Sequence, residues 1–452
     1  MENLSNYPDH YPNEKRPGFF QRNAKTLKAV TIGILVLLLL IPMNMIEDLI
    51  RERNYTETEA VNEVGQKWSG KQTIIGPYLN FDYIIPHQTV VDGKTIISTE
   101  TKNLTLLPDE LMIDGNLLTE IRRRGIYEVN VYQSILILKG VFSPEELNKR
   151  GIDIEKICFE NATLCLGVAD MRGISEQIQV KLGDSIYDFE SGMNGKEIGY
   201  SGVSRIIDIP ELKAQTIPYE INIKLKGSQS MFFIPIGKTT KINMQADWGT
   251  PSFDGSYLPE SHDITEEGFT AKWQVLNLNR SYPQTIMNFS NTSDIKESRF
   301  GVNLRMPVEQ YQQSMRTAKY AILIILLTFA VIFFVETVDK KRIHILQYLL
   351  IGLGLCLFYS LLLSMSEQMN FALAYVIAAI LTIALIGLYM RGIMKKTKPA
   401  LIMGGLLLAL YAYIYVLIQL ETLALLAGSL GLFVILAILM YFSKKIDWFS
   451  AN

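Results

Sequence analysis

Four histidines and three cysteines are the side chains best suited to catalysis or metal binding in this 452-residue chain. Their spacing argues against most such chemistry. His10, His87, His262 and His344 stand far apart, with no HExxH and no His-x3-His, the spacings that bring zinc ligands onto one face. His262 has Glu260 and Asp263 beside it, a set that would suit a cation, but an exposed acidic loop accounts for these residues better. Cys158 and Cys165 lie in CFENATLCLGV, a strand-like run. Side chains on opposite faces of one extended strand do not meet, although an oxidising compartment would permit a bond, so their pairing stays open. Cys356 sits in an apolar run and reads as packing. Neither G-x-S-x-G nor G-x-x-x-x-G-K-[ST] occurs, so a nucleophile elbow and a P-loop are both unsupported. The expectation is no catalytic residue, no metal ligand, no cofactor and no enzyme.

The composition points to a different kind of work. Hydrophobic residues make up 49% and charged residues 19% of the chain, against roughly 25% charged in soluble proteins. The net charge of −2 gives no basic field to draw in nucleic acid. The apolar excess is concentrated in six segments at 27–46, 318–336, 345–365, 371–390, 400–420 and 423–442. Each approaches the length of about 20 apolar residues that a bilayer core of about 30 Å requires. None carries an ionisable residue in its middle, whereas pumps and coupled transporters place such groups inside the bundle. The first segment has the basic lead of a signal peptide, but Pro42-Met43-Asn44-Met45-Ile46-Glu47 follows with no small-residue cleavage pattern, so it reads as an uncleaved anchor.

Lysine and arginine set the expected orientation. Lys340, Lys341 and Arg342 follow segment two; Arg391, Lys395, Lys396 and Lys398 follow segment four; Lys444 and Lys445 follow segment six. Ser366-Glu367-Gln368-Met369 and the turn around Glu421 carry no basic residue. The alternation places both termini in the cytoplasm and residues 47–316 outside it. A polar stretch at 1–26 and a short one at 443–452 read as cytoplasmic tails, the first of them disordered.

The outside region opens with Ile46, Leu49, Ile50, Ala60, Val61, Val64 and Trp68 on one helical face, ended by Gly70. Strand patterns then dominate. Phe81 to Val91 and Thr95 to Leu107 flank Asp92-Gly93, the pattern of a two-residue hairpin turn. Ile126 to Leu138, Ile221 to Leu225, Met231 to Ile236 and Lys241 to Asp247 read as further strands, with turns at Gly227, Pro235, Gly237, Gly249 and Pro251. Two β-layers are expected. Pro307 to Arg316 reads as an amphipathic helix leading into the second span. The cluster Arg122-Arg123-Arg124 would suit anionic head groups, but Glu120 and Glu128 beside it favour a solvated edge.

The longer blocks resemble those of the CreD family of bacterial inner membrane proteins. They are LLLLIPMNMIEDLIRER (37–53), WSGKQTIIGPYL (68–79), LPDELMIDG (107–115) with RRGIYEV, VADMRGI (168–174), DWGTPSFDGSYLPE (247–260), KYAILIILLTF (319–329), HILQYLLIGLGLCLFYSLLLSMSE (344–367) and Ile446-Asp447-Trp448. The polar tail departs from the family pattern. The resemblance implies a membrane protein with six transmembrane helices arranged 1+5, a large β-rich periplasmic domain between the first and second, and a stress-response role in cell-envelope integrity, with expression commonly tied to a two-component signalling system. It supplies no catalytic residues. The expected partners are the lipid bilayer and an envelope protein or other envelope component, with no nucleic acid and no defined oligomeric state. Arg172 and Gly173, with Asp247, Trp248, Phe253, Tyr257 and Pro259, are the candidate contact residues, because aromatic side chains among Gly and Pro turns form rigid surfaces. The competing expectation is that they build turns and core corners. A transporter or lipid-handling protein, using a pocket in the helix bundle, is the alternative function.

Overall fold

The computed structural model describes residues 24–91, 94–149, 152–193, 195, 198–288, 292–304, 306, 310–339, 341–420 and 423–444. Most of the 1–26 tail with His10, Asp92-Gly93, Pro307, Glu421 and Ile446-Asp447-Trp448 lie outside the described residues, as does the side chain of His87. Two compact units are present: Thr56–Val308, and a second made of Met1–Tyr55 with Glu309–Asn452.

Helix α1 (Ala24–Trp68) precedes the strands. These are β1 (Gln72–Val91), β2 (Lys94–Leu106), β3 (Glu110–Arg124), β4 (Tyr127–Phe142), β5 (Ile157–Val168), β6 (Gln179–Leu182), β7 (Ser185–Asp188), β8 (Glu190–Ser191), β9 (Gly202–Ile207), β10 (Ile217–Ser228), β11 (Ser230–Phe233), β12 (Thr239–Ala246), β13 (Pro251–Gly255), β14 (Ser261–Ile264), β15 (Phe269–Leu276), β16 (Thr285–Met287) and β17 (Phe300–Leu304). One sheet runs β13-β17-β11-β1-β5-β9-β8, with β2 also on β1 and β16 on β2; the other runs β14-β15-β12-β3-β4-β10-β6-β7. Only the β1–β11 and β3–β12 pairings are parallel among those described.

Side-chain alternation explains the two layers. In β15 each of Phe269, Ala271, Trp273 and Val275 is buried and each residue between them is exposed. A period of two places every second side chain on one face of a strand. The buried faces of both sheets, Ile74 and Leu164 from one and Leu136 and Ile242 from the other, join a single core. The two-residue hairpin expected between β1 and β2 is present as a register of Val91 opposite Lys94. Cys158 and Cys165 both lie on β5 and are not joined by a disulfide.

Gly227 corrects a sequence expectation. It is not a turn residue but lies within β10, opposite Tyr132 of β4. The Tyr132 ring occupies the space a Cβ at Gly227 would need. The reciprocal arrangement recurs along the same strand pair, where the Tyr219 ring lies against Gly140. Each ring crosses a glycine and reaches a backbone carbonyl beyond it: Tyr132 donates to Ser230 O at 2.7 Å and Tyr219 to Glu110 O at 2.9 Å. A strand glycine often marks such a close approach rather than a bend.

The other unit holds the first part of α1, then α2 (Gln310–Lys319), α3 (Ala321–Asp339), α4 (Ile345–Ser366), α5 (Phe371–Met394), α6 (Thr397–Gln419) and α7 (Ala424–Ser443). Among the described residues five helical runs are long and apolar enough to cross a membrane: Thr26–Trp68, Gln310–Asp339, Ile345–Ser366, Phe371–Met394 and Thr397–Gln419. The apolar helix α7 follows them. Caps fix the boundaries: Asn370 accepts from Ala372 N at 2.9 Å to start α5, and Lys395 closes that helix at φ 51. Phe358 packs at the bundle centre, 4.4 Å from the Tyr411 ring and 5.4 Å from Tyr375.

Polar pairs gather at the helix ends. Lys28 bonds Glu336 and, at 2.8 Å, Ile343 O; Tyr348 donates to Glu336 at 3.0 Å. Lys341 reaches Ile393 O, and Lys396 meets Asp339 at 3.0 Å. At the opposite helix ends Glu367 accepts from Tyr311 at 3.2 Å and stands 3.7 Å from Arg53.

Candidate functional site

Arg172 and Gly173 close a single 3-10 turn, Met171–Gly173, just after β5. Asp170 caps it. Its carboxylate accepts from the Arg172 guanidinium at 2.8 and 2.9 Å, from Gly70 N at 2.8 Å and from Arg172 N at 3.1 Å. The guanidinium, aided by the two backbone N–H groups, holds the Asp170 carboxyl down at about 2, against the opposing pull of burial. Arg172 also donates to Gln66 O on α1. Gly173 is buried against Lys226 O and the side chains of Ser69 and Gln72, where a Cβ would not fit. Gln72 donates in turn to Asp170 O and Lys226 O, each at 2.9 Å. This pair therefore fastens the end of α1 to the start of β1.

The second group spans the crossing between sheets. β12 belongs to one sheet and β13 to the other, so Asp247-Trp248-Gly249-Thr250 must turn the corner. Asp247 Oδ1 accepts from Thr119 N at 2.7 Å, extending the β3–β12 ladder by a side chain. Trp248 is buried in the core. The Phe253 ring meets Trp273 and Phe269 edge-on at 5.6 and 5.7 Å, and His262 at 5.3 Å. Tyr257 stands edge-on to Phe300 at 5.6 Å and donates to Asn279 O at 2.8 Å; partial burial raises its hydroxyl pKa. Pro259 is half-buried.

These placements divide the candidates. Trp248 is buried, Phe253, Tyr257 and Pro259 are half-buried, with the Phe253 and Tyr257 rings packed against the core, and Asp247 is exposed and braces the corner through Thr119 N. The Tyr257–Asn279 bond ties together two segments that each carry an exposed leucine: Leu258 is 70% exposed and Leu278 87%. Sequence reasoning missed both, because a single exposed leucine is ordinary. Their available signal was position, each beside a residue that fixes the backbone.

Other charged candidates are occupied. Arg123 meets Glu128 at 2.7 Å and Arg122 meets Glu120 at 3.5 Å. Arg124 meets Glu63 at 2.8 Å, and Lys67 meets the same carboxylate at 2.6 Å. Arg122 also stacks on the Trp68 ring at 3.6 Å, with Lys226 at 4.6 Å from the same ring. Arg280 lies 4.3 Å over Tyr282 and donates to Tyr282 O and Ile236 O; burial lowers its pKa. Among the described residues no group of three His, Cys, Asp or Glu side chains is placed to hold a metal ion.

Long apolar helices, with a large β-rich region inserted between the first and second, define an integral membrane protein whose surroundings are the lipid bilayer. Residues 24–449 match the family described as Inner membrane protein CreD. The chain is also 31% identical over 415 residues to Inner membrane protein CreD of Escherichia coli (strain K12), covering 92% of each. It belongs to the CreD family of inner membrane proteins.

Proposed function

We propose that this protein supports cell-envelope integrity as a non-enzymatic binding or scaffolding module held in the bacterial inner membrane. In this reading six helices span the bilayer, both termini are cytoplasmic, and the β-rich unit lies in the periplasm. The distribution of Lys and Arg among the short loops supports that orientation. The pairings in the helical unit agree with it: Lys28, Glu336, Lys341 and Lys396 gather at one set of helix ends, and Arg53, Tyr311 and Glu367 at the other.

The observation that carries the binding role is the exposed leucine pair on a rigid corner. Leu258 and Leu278, bordered by Tyr257 and Pro259, form the contact with an envelope partner. Asp247, Trp248 and Phe253 hold the corner behind them, and Arg172 with Gly173 holds the α1 end. A braced backbone loses little freedom on binding, and that favours contact surfaces of this kind. The test is deletion in the native host, challenge with detergents and envelope-targeting toxins, and complementation. The chain carrying Leu258→Ser and Leu278→Ser is expected to accumulate normally, as shown by immunoblot, yet fail to restore tolerance. Full restoration by that variant would remove the leucine pair from the function.

The alternative, a lipid-handling role for the helix bundle, draws its support from cavities on the helical unit rather than from an interior path.

A further inference from the structure

Two cavities in the helical unit share Lys319. One, of about 250 Å³, is lined by Arg51 and Asn54 of α1 and by Gln312, Arg316 and Lys319 of α2. Its lining holds three cations and no carboxylate. The acids nearest to Arg51 are Asp48 at 3.2 Å and Glu47 at 3.6 Å, on the same helix and outside the lining. The other is a lateral groove of about 520 Å³, where Lys319, Tyr320, Leu326, Tyr413, Gly428 and Leu432 bring α3, α6 and α7 together. Below Lys319 the groove wall is almost wholly apolar. Its size falls in the range of about 300–1,000 Å³ usual for ligand sites.

We infer that these two cavities form one binding site for a phospholipid of net negative charge, with its phosphate among Arg51, Arg316 and Lys319 and an acyl chain in the groove. The charge order fits this occupant: a cationic end opens into an apolar channel at the ends of membrane helices. Lys319 is exposed and forms no ion pair among the described residues, so its ammonium is available to a phosphate. Tyr413 donates to Ala427 O at 2.8 Å and its ring lies against Gly431, which holds α7 on α6 and fixes the groove floor. Gly428 faces open space: a Cβ there would meet nothing within 4 Å. A larger side chain at 428 therefore enters the groove without displacing backbone. The site is independent of the envelope role, because it needs only a bilayer around the helices.

The full chain, purified in detergent, is titrated with phosphatidylglycerol and with phosphatidylcholine of identical acyl chains, and bound lipids are counted by native mass spectrometry. Phosphatidylglycerol is expected to be retained over phosphatidylcholine. Lys319→Gln should lower that preference about fivefold, the effect of about one head-group charge contact. Gly428→Leu should reduce retention of both lipids. Leu432→Trp, on an exposed side chain, fills the same groove if Gly428→Leu does not assemble. Lys398→Gln, outside both cavities, should leave the ratio unchanged. Equal retention of the two lipids, or a preference that survives Lys319→Gln, would reduce the site to ordinary boundary lipid. Displacement of phosphatidylglycerol by millimolar inorganic phosphate would assign the cationic end to a free anion and overturn the lipid assignment.

Discussion

In the β-rich unit the buried hydroxyls of Tyr78, Tyr132, Tyr219 and Tyr282 are each bonded to backbone: Tyr78 accepts from Ile198 N at 3.1 Å, and the others donate to Ser230 O, Glu110 O and Pro235 O. In the helical unit Tyr375 and Tyr413 find Tyr411 O and Ala427 O, but the hydroxyls of Tyr359 and Tyr411 are buried with no protein partner. The difference follows from how each architecture uses its carbonyls. An α-helix commits nearly all of them to its own N–H groups, so a neighbouring hydroxyl must share an occupied acceptor. Strand ends and corners leave carbonyls such as those of Ser230, Glu110 and Pro235 within reach. The buried Glu336 of the helical unit is held by two side chains, Lys28 and Tyr348, whereas these four tyrosines of the β-rich unit are held by backbone groups.

The largest expected effect tests the helical half of that contrast. Glu336 is 8% exposed and is held by Lys28 and Tyr348. Removing one partner of a buried ion pair leaves the other charge uncompensated, at a cost of about 3 kcal/mol or more. Lys28→Met should therefore lower stability by about 3 kcal/mol, read as loss of helical circular dichroism at rising fractions of denaturing detergent. Replacing both partners, Lys28→Met with Glu336→Met, should recover at least half of the loss. A neutral Lys28→Met would mean that the pair is hydrated and that the two units handle charge alike.

Tyr132→Phe tests the other half. It keeps the ring over Gly227 but removes the bond to Ser230 O, leaving a buried carbonyl with one acceptor site unused. The expected cost is about 1–2 kcal/mol. Three of the four tryptophans, Trp68, Trp248 and Trp273, fall within Thr56–Val308, so tryptophan fluorescence during denaturant unfolding reports this unit. A change below about 0.5 kcal/mol would show that the β-rich unit gains nothing from the bond.

Sequence pattern reveals what repeats locally. The apolar runs that became α1 and α3 to α6, the β1–β2 hairpin and the alternation in β15 depend on residues near one another in the chain. The misreading of Gly227 has the opposite origin. Nothing in its own neighbourhood distinguishes a turn glycine from one lying under a tyrosine of the next strand, because Tyr132 is distant in sequence and close only through register. The same distance concealed Lys28 from Glu336 and Arg51 from Lys319, which are far apart in the chain and come near one another only in the helical unit. For the candidate contact residues, sequence located the corner but not its inward and outward faces. Trp248 and Tyr257 look equally available in DWGTPSFDGSYLPE, and only the switch from one sheet to the other buries the first.

The smallest expected effect is the most discriminating. If the Tyr359 and Tyr411 hydroxyls lack partners, deleting either oxygen removes a desolvation cost and no bond. Tyr359→Phe and Tyr411→Phe should then change the stability of the helical unit by less than about 0.5 kcal/mol, or raise it. The aromatic packing around Phe358 would be untouched, since the rings remain. The same oxygen-to-hydrogen change would thus cost stability at Tyr132 and none at Tyr411, although both side chains are almost fully buried. A loss above about 1 kcal/mol at either helical tyrosine would place an ordered water on that hydroxyl. In that case the helical unit would also satisfy these tyrosine hydroxyls, through solvent where Tyr78, Tyr132, Tyr219 and Tyr282 of the β-rich unit use backbone groups.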